Sequence, residues 1–488
     1  MASRLLSTPW RHALRGHSTL YGASRRSVST KSCTVKILPL KTSLGVLCVA
    51  AGIGSIGFYG PGRKHEYGLL RSATAASPDE FDDLGLGDIP QQLGGPLLVD
   101  GEFDVIKTCS QSHTGHNLTT HACRLESNVP CEDFLVAGDF EDSRTRKVDW
   151  SYWEIFDGHA GYQTSRICSD FLHTFVVGNL LEPMNASLTI PELIKQAYLK
   201  LDETILEVAK SALSTTPANA THSTAVAPAL SGSCALGLYF QHETSTLYTA
   251  NTGDCRAVLG RWSTEASTYV PQPLSSDHTG FNASEVKRIE AEHPGETGII
   301  DPKTGRIFGL AVVRAFGDSR WKWNDETILE AHKKFWGPKP RPNGVNKTPP
   351  YLTAEPEVTE TKIIDGKRGD FVIMASDGLW DHLSNEDAVM IVNKWLEAKR
   401  SGKLGKEVYE VPKNEDTYYD ERPGYGLTWR IKPEYFSYED DNAAACLVRN
   451  AMGGKRKHLV DRLVKMEPPW SRDAHDDTSV QVIFFGDV

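Results

Sequence analysis

Four acidic clusters, far apart in the chain, each stand beside a run of residues that predicts a β-strand. They are Glu132-Asp133, Asp157-Gly158-His159, Asp377-Gly378 and Asp476-Asp477. A single Asp-Gly pair is usually a turn, because both residues tolerate turn conformations. Carboxylates gathered at strand ends from across one domain instead supply the oxygen ligands that Mg²⁺ and Mn²⁺ prefer. The clusters therefore predict a divalent-metal site, and two such ions about 3.5–4 Å apart can activate water and polarise a phosphoryl oxygen.

Between these clusters the hydrophobic pattern predicts short strands and a few long helices. Alternating or continuous apolar runs predict strands over residues 148–156, 233–240, 246–251, 370–375 and 479–484. Residues 190–210 carry apolar side chains at helical spacing, which predicts an amphipathic helix. Short strands joined by turns, with a few long helices, predict an α+β domain built in layers.

The residues that flank the acidic clusters carry a family resemblance. They read FDGHAG at 156–161, NTGDCR at 251–256, ASDGLWD at 375–381 and DDTSV at 476–480. In this order they resemble the metal-dependent serine/threonine protein phosphatases of type 2C, from about residue 105 to the C-terminus. The stretches NVPCED at 128–133 and TPPYLTAEPEV at 348–358 are similar to the pyruvate dehydrogenase phosphatases. The resemblance implies a four-layer α-β-β-α sandwich with two central antiparallel sheets.

The resemblance also implies a two-metal site and gives the acidic residues roles in it. Asp157 matches the aspartate that bridges both metals, and Gly158 offers a carbonyl that no Cβ obstructs. Asp377 and Asp476 match the ligands of the first metal, and Glu132 matches the ligand of the second. The implied cofactor is Mg²⁺ or Mn²⁺, with two ions in the site and a third at a weaker position.

For the remaining acidic residues a structural role competes with a role in the metal site. Asp133 matches a group that holds the water molecules around the second metal. Asp254 matches the carboxylate of the third metal, and capping of its own turn is the alternative. Asp477 stands where the family often has Asn, and either a site role or a turn role is open to it.

His159 matches the proposed general acid of the family, which protonates the serine or threonine oxygen that leaves. The ordinary pKa of an imidazole, about 6.5, allows it to hold a proton and release it near neutral pH. A cysteine or serine nucleophile is not needed, because metal coordination lowers the pKa of water. The stretch RAFGD at 314–318 is a further family signature, which we interpret as a structural loop beside the site.

One position departs from the family. The arginine that usually binds the substrate phosphate, four residues before Glu132, is Asn128 here. An amide donates hydrogen bonds to a phosphate but lacks the planar charged fork of a guanidinium. The pyruvate dehydrogenase phosphatases share the Asn, so the departure favours that branch. Asn128 is therefore the predicted phosphate-binding residue.

The N-terminal segment differs in charge from the rest of the chain. Residues 1–65 contain ten Lys/Arg and no Asp/Glu, and the other 43 basic and 63 acidic residues give a formal charge of −20. An acidic body does not favour nucleic-acid binding, which depends on clustered Lys and Arg. The Arg- and Ser-rich, acid-free composition of residues 1–41 is typical of a mitochondrial transit peptide.

Residues 42–60 are free of charge and, as a helix, would extend about 28 Å, close to the thickness of a hydrocarbon core. We expect mitochondrial import with association to the inner membrane. The alternative is the apolar part of a presequence that is later removed, and five glycines weaken the membrane interpretation. Because of these two possibilities the catalytic body is placed either in the matrix or in the intermembrane space.

The rest of the chain divides into a linker and a catalytic body. Residues 61–103 are rich in Gly, Pro, Ser and Asp and predict a linker, and residues 104–488 predict the phosphatase domain. Two insertions are expected in that domain. One lies near 211–231, an Ala/Ser/Thr/Pro-rich loop, and the other near 399–440, which has no clear periodicity. Nine scattered cysteines predict buried thiols and no disulfide framework.

The sequence thus predicts a monomeric Mg²⁺/Mn²⁺-dependent protein serine/threonine phosphatase. Its predicted partner is a phosphoprotein substrate, the pyruvate dehydrogenase complex or another mitochondrial phosphoprotein. Two alternatives stay open on the sequence alone. One is a pseudophosphatase that binds partners through the same fold, although every matched ligand is acidic. The other is a metal phosphoesterase that acts on small metabolites.

Overall fold

The computed structural model describes residues 35–36, 98–99, 104–111, 117–141, 148–181, 187–215, 219–405, 417–422 and 426–488. The strands are β1 Val35–Lys36, β2 Leu98–Val99, β3 Asp104–Gln111, β4 Asn117–Leu125, β5 Phe134–Glu141, β6 Val148–His159, β7 Gly232–Gln241, β8 Thr246–Thr252, β9 Arg256–Ser263, β10 Thr268–Pro273, β11 Phe316–Gly317, β12 Glu357–Lys362, β13 Phe371–Ala375, β14 Thr417–Arg422, β15 Gly426–Ile431 and β16 Thr478–Phe485. The helices are α1 Gln163–Leu181, α2 Ile190–Leu213, α3 Ala220–Leu230, α4 Ala283–Glu292, α5 Ser319–Lys322, α6 Asp325–Phe335, α7 Asp377–Trp380, α8 Asn385–Arg400, α9 Ala443–Ala451 and α10 Lys457–Val464. Short 3₁₀ turns lie at Pro433–Tyr435 and Ser471–Asp473.

Two large sheets form the centre of the fold. The first has the order β1-β5-β6-β7-β8-β12, with β11 paired to β7, and the second has the order β10-β9-β13-β16-β4-β3-β2. Neighbouring strands run antiparallel, apart from the two-residue β1, which pairs parallel with β5. The predicted strands at 148–156, 233–240, 246–251, 370–375 and 479–484 are confirmed as β6, β7, β8, β13 and β16.

In the first sheet, alternate side chains of β6 face two different layers. Trp150, Tyr152 and Phe156 pack in one apolar cluster with buried residues of helices α1 and α2. Trp153 and Ile155 pack in a second cluster, between the two sheets. A strand with a period of two residues directs its side chains this way when both of its faces are covered.

The second sheet is covered in the same way, by helices on its outer face and by the first sheet on its inner face. On β13, Phe371, Ile373 and Ala375 pack with buried residues of α8 and α9. Val372 and Met374 face the first sheet, in the cluster that also contains Trp153. The order of layers is therefore helices, sheet, sheet, helices, and the predicted α-β-β-α sandwich is confirmed.

Helix α2, predicted over 190–210, is confirmed with a defined start. The side chain of Thr189 accepts a hydrogen bond from the backbone N–H of Glu192, while the Glu192 carboxylate accepts one from the Thr189 N–H at 2.7 Å. This reciprocal pair satisfies two N–H groups that the first helical turn leaves open. Of its apolar stripe, Ala197 and Leu201 pack in the cluster that contains the first sheet, and Leu193 is also buried.

The two expected insertions are more regular than the sequence indicated. Residues 211–231, predicted as a loop, contain the end of α2 and all of α3, so the loop prediction is wrong for 220–230. Asn219 starts α3 by accepting a hydrogen bond from the N–H of His222 at 3.0 Å. Residues 399–440 contain β14 and β15, which pair with each other as a separate two-stranded sheet.

The proposed targeting segment, residues 1–41, and the apolar segment, residues 42–60, lie outside the described residues except for 35–36, as does the linker 61–103 except for 98–99. Among the helices that the structure describes, none is both long and apolar enough to cross a membrane. The six cysteines with described side chains are buried, as the sequence predicted.

Candidate metal centre

Strand register brings the acidic clusters to one end of the sandwich. In the first sheet Phe134 pairs with Phe156, so Glu132-Asp133 before β5 and Asp157 at the end of β6 are neighbours. In the second sheet Ala375 pairs with Val480, so Asp377 after β13 and Asp476 before β16 are neighbours. Asp254 follows β8, two residues beyond Thr252, which pairs with Ala235 of β7.

Three aspartates from both sheets form the centre of the site. One carboxylate oxygen from each of Asp157, Asp254 and Asp377 lies within 4.8 Å of the other two. Oxygen ligands held about 2.1 Å from a Mg²⁺ ion are separated by roughly 3–4 Å, so this spacing is close to that of a shared cation. Asp254 also accepts a hydrogen bond from the thiol of Cys234, at 3.3 Å, which fixes its carboxylate next to β7.

The carboxyl groups at this centre have pKa values raised above the ordinary range by burial and by one another. Burial raises the pKa of Asp157 well above its ordinary value, and the nearby Asp377, Asp133 and Asp254 raise it further. Burial likewise raises the pKa of Asp377, with Asp476 as the next cause. A divalent cation among these groups would favour their charged forms and reverse both effects.

Asp133 adds an unsatisfied oxygen to the cluster. Its side chain is 1% exposed, and burial raises its pKa well above the ordinary value, with Asp477 and Asp476 as further causes. Among the described residues, none donates a hydrogen bond to its buried Oδ2. A buried acceptor without a donor is costly unless a cation or water satisfies it. The residues present therefore fit a hard divalent cation, which takes carboxylate and carbonyl oxygens.

A close backbone approach holds Glu132 beside Asp157. A Cβ on Gly158 would lie 2.4 Å from the carbonyl oxygen of Glu132 and 2.6 Å from Oγ of Ser165. The Ser165 hydroxyl donates to the same Glu132 carbonyl at 2.6 Å. Residue 158 has to be glycine for this contact, because no other side chain fits between β6 and the Glu132 backbone. Burial raises the pKa of Glu132, and Asp477 raises it further.

Asp477 organises the loop before β5. Its carboxylate accepts hydrogen bonds from the backbone N–H groups of Ser127 at 2.6 Å, Asn128 at 2.9 Å and Glu132 at 2.9 Å. Burial opposes the charged form, but these donors hold the pKa of Asp477 below its ordinary value. Of the two roles left open for Asp477, the structural one is what the geometry shows.

The side chain of Asn128 takes part in the same network. Its Nδ2 donates to Oδ2 of Asp477 at 3.1 Å, so the amide is engaged with the protein itself. The structure thus gives Asn128 a role in holding the loop, and its phosphate-binding role stays a prediction.

His159 is oriented by Asp318, which belongs to the stretch that the sequence analysis interpreted as a structural loop. Its Nε2 lies 2.7 Å from Oδ2 of Asp318, which is 3% exposed. Burial opposes the imidazolium, but the Asp318 carboxylate raises the pKa of His159 above its ordinary value. Gly232 pairs with His159 across β6 and β7, and a Cβ there would lie 2.1 Å from the imidazole nitrogen. Glycine at 232 therefore leaves the space that the His159–Asp318 pair occupies.

Arg314, the first residue of the same signature, has the structural role predicted for it. Its guanidinium donates two hydrogen bonds to the Glu285 carboxylate, at 2.9 and 2.6 Å, and one to the Glu355 carbonyl at 2.7 Å. This ion pair holds the pKa of Glu285 at about 2, although burial raises it. Arg314 thus connects α4 to the segment before β12. Within the signature at 314–318, Arg314 has this structural role, whereas Asp318 is the partner of His159.

Arg472 is a site residue that the sequence analysis did not identify. It forms an ion pair with Oδ2 of Asp476, four residues later. The adjacent Ser471 donates from its hydroxyl to the carbonyl of Ser127 at 2.5 Å, which fixes this 3₁₀ turn against the loop of Asn128. A basic residue four positions before a predicted ligand was the available signal.

Comparisons with known proteins find a matching family model and related proteins. The family model described as protein phosphatase 2C matches residues 121–410, a range that contains Glu132, Asp157, Asp254 and Asp377. A protein phosphatase 2C homologue of Schizosaccharomyces pombe is 37% identical over 373 residues, 74% of this chain and 79% of that protein. The mitochondrial [pyruvate dehydrogenase [acetyl-transferring]]-phosphatase 1 of Saccharomyces cerevisiae is 36% identical over 398 residues, 75% of this chain and 68% of that protein.

The human mitochondrial phosphatase of the same description is 31% identical over 259 residues, 49% of this chain and 45% of that protein. The crystal structure of a serine-threonine phosphatase 2C from Toxoplasma gondii is 15% identical, with a TM-score of 0.43, and covers 78% of this chain and 99% of that one. A score this low carries no weight for the fold, which rests on the sheets and apolar clusters described above.

Proposed function

The chain belongs to the protein phosphatase 2C family, and we propose that it removes phosphate from serine or threonine residues of pyruvate dehydrogenase in a reaction that depends on Mg²⁺ or Mn²⁺. The convergence of Asp157, Asp254 and Asp377 from two different sheets is the observation that carries the metal dependence. Buried carboxylates that repel one another are retained where a cation requires them.

Two metal positions are proposed, with a third at a weaker position. Asp157 and the Gly158 carbonyl would serve as ligands at the first two, with Asp377 and Asp476 as further ligands of the first metal and Glu132 of the second. Asp254 serves the third position, and Asp133 holds water beside the second. Bound Mg²⁺ or Mn²⁺ would supply a water molecule of lowered pKa as the nucleophile and would offset the charge of the phosphoryl oxygens.

The proton for the leaving group comes from His159. Its imidazole is partly exposed, and Asp318 holds the ring from the buried side through Nε2. The carboxylate favours the protonated ring and fixes its orientation, so that Nδ1–H is available to the serine or threonine oxygen that leaves. No residue of the chain takes up the phosphoryl group covalently in this reaction.

The relatives support the choice of substrate. Two of the proteins described above are named as pyruvate dehydrogenase phosphatases, one from yeast and one from human. The stretch TPPYLTAEPEV at 348–358, which resembles that branch, supplies Thr353 and Glu355 to the Arg314 contact described above. Another mitochondrial phosphoprotein would present the same phosphoserine chemistry, so the substrate proposal is tested separately from the reaction.

Metal removal tests the reaction. We expect the full-length protein with Mn²⁺ to release phosphate from a phosphoserine peptide of pyruvate dehydrogenase, and EDTA to reduce the rate to background. Addition of excess Mn²⁺ or Mg²⁺ after EDTA should restore the rate, because the carboxylate cluster retains its arrangement. Phosphate release is measured with each cation in turn.

The outcomes of this assay separate the alternatives. Activity that persists in EDTA contradicts a metal-dependent phosphatase. Mn²⁺ binding in calorimetry with no turnover of any phosphopeptide would instead identify a pseudophosphatase. Turnover of small phosphorylated metabolites, with none of phosphopeptides, would identify a metabolite phosphoesterase.

We propose a mitochondrial location on the basis of the acid-free N-terminal segment and the mitochondrial relatives. Association of residues 42–60 with the inner membrane is part of the same proposal. We expect the full-length protein to fractionate with mitochondria. Protease treatment of mitoplasts then distinguishes its side: digestion of the phosphatase domain indicates the intermembrane space, and resistance indicates the matrix. A full-length protein in the cytosol would contradict the proposal.

A further inference from the structure

The acidic centre has to bind a substrate that is itself negatively charged. A phosphoserine carries a charge of about −1.5 to −2 near neutral pH, which the nearby carboxylates repel. Asn128, at the position predicted to bind the phosphate, contributes no charge, and its Nδ2 already donates to Asp477. The bound cations would offset part of this charge, and a positive side chain near the substrate would add charged hydrogen bonds to the phosphoryl oxygens.

Arg472 lies at the required place. Among the residues that the structure describes, it is the one arginine or lysine that forms an ion pair with a proposed metal ligand, Asp476. Burial lowers the pKa of its guanidinium, but the carboxylates of Asp476, Asp377 and Asp157 raise it above the ordinary value. The ion pair with Asp476 thus places the guanidinium next to the acidic cluster.

The backbone of Arg472 is fixed next to the loop of Asn128. Ser471 is fully buried, and its hydroxyl donates to the Ser127 carbonyl one residue before Asn128. The carboxylate of Asp477 accepts hydrogen bonds from both Ser127 and Asn128. The 3₁₀ turn and the loop are thus one connected unit, and Arg472 reaches the site from it.

The side chain of Arg472 retains freedom to change its partner. It is 51% exposed, whereas the carboxyl side chain of Asp476 is 23% exposed. A cation that coordinates Asp476 competes with the guanidinium for the same oxygen. An arginine released in this way has a planar charged fork, which matches two oxygens of a phosphoryl group.

We propose that Arg472 binds the phosphoryl group of the substrate, and that it pairs with Asp476 when metal and substrate are absent. This inference rests on the proposed phosphatase function and adds to it a phosphate-binding residue on the C-terminal side of the site. It assigns to Arg472 the charged contact with the phosphoryl group that the uncharged side chain of Asn128 cannot make.

The proposal predicts two effects of opposite sign for Arg472→Ala. Phosphate should bind more weakly, because two charged hydrogen bonds are lost. Mn²⁺ should bind more tightly, because Asp476 no longer has a competing cation beside it. If Arg472 only supported the local structure, its replacement would weaken the binding of both phosphate and Mn²⁺, because a disordered loop would hold neither ligand well.

The experiment uses the full-length protein as wild type, Arg472→Ala and Arg472→Lys. Calorimetry measures the Kd of Mn²⁺ for the metal-free protein, and then the Kd of inorganic phosphate for the Mn²⁺-loaded protein. Kinetics with a phosphoserine peptide give KM and kcat. Arg166→Ala is the matched control, because Arg166 forms a part-buried ion pair of the same i,i+4 spacing with Asp170 on α1.

For Arg472→Ala we expect the phosphate Kd and the peptide KM to rise about 10-fold to 100-fold, the range for losing hydrogen bonds to a charged group. The Mn²⁺ Kd should fall by up to about fivefold, the range for removing a partly exposed ion pair. Arg472→Lys keeps the charge without the fork, so its values should lie between those of the alanine variant and wild type. Arg166→Ala should behave as wild type.

Unchanged phosphate Kd and KM in Arg472→Ala, with an active wild type, would overturn the proposal. So would a rise in KM for Asn128→Ala that Arg472→Ala does not show, because Asn128 would then be the phosphate-binding residue. Weaker Mn²⁺ binding in both Arg472 variants would assign Arg472 a structural role. A wild type with no metal-dependent turnover would reject the phosphatase function, a result that is distinct from these.

Discussion

Replacement of Asp157 by Asn is expected to reduce kcat on a phosphoserine peptide at least about 100-fold, even with saturating Mn²⁺. Asp157 lies two residues before the end of β6 and shares the centre of the cluster with Asp254 and Asp377. It is the residue proposed to serve both metal positions. An amide has nearly the same shape as a carboxylate but carries no charge. Cation affinity should therefore fall while the fold is kept.

Calorimetry with Mn²⁺ measures the loss of affinity, and steady-state phosphate release measures the loss of turnover. Asp301→Asn is the matched control, because Asp301 is exposed and accepts hydrogen bonds from Lys303 and Thr304 in its own loop. That variant should retain both wild-type values. Retention of more than about a tenth of kcat by Asp157→Asn would contradict the role of Asp157 between two metals.

Replacement of His159 by Gln is expected to slow cleavage of a phosphoserine peptide about 10²-fold to 10⁴-fold, the contribution of a general acid. Glutamine can still donate a hydrogen bond to Asp318 but has no proton to transfer. Hydrolysis of an aryl phosphate should slow much less, because its leaving group departs without a proton. Parallel kinetics with both substrates measure the difference.

The Mn²⁺ affinity of His159→Gln should stay close to that of wild type, since the imidazole is not among the proposed ligands. His458→Gln, an exposed residue of α10, is the control for the substitution itself. Equal losses on the peptide and the aryl phosphate would show that His159 positions another group and does not supply a proton.

Much of the fold could be predicted from the sequence, because the local pattern of apolar residues indicates several of its strands and helix α2. Residues 148–156 alternate between two apolar clusters, and that period was enough to predict β6. Helix α3 was missed because its sequence is rich in Ala, Ser and Thr and contains Pro228, a composition that is also typical of loops. Its packing against the first sheet, through Val226 and Ala229, was not visible from local pattern.

Only part of the site could be predicted from the sequence. The proposed metal ligands stand in sequence motifs, whereas the residues that hold the site in place do not. Asp157 and Asp377 stand in recognisable sequence signatures. The partner of His159 lies 159 residues away, and Asp477 contacts Ser127 across 350 residues. Contacts at such separations leave no periodic signal. For Arg472 the i,i+4 spacing to Asp476 was a local signal, but its place beside the loop of Asn128 depends on the distant contact of Ser471 with Ser127.

The hydrogen bonds of Asp477 also couple the metal site to the order in which the second sheet is assembled. The loop that carries Glu132 is held by Asp477, 345 positions later in the sequence. Strand β16, which follows Asp477, lies between β13 and β4 in the middle of its sheet. The second sheet is therefore split in two until β16 is inserted. Closing so long a loop is among the slowest steps in folding, because chain entropy is lost before the contact forms. A chain in which β16 has not yet paired would hold most of the acidic residues without a finished centre, so assembly of the metal site is coupled to the insertion of this one strand.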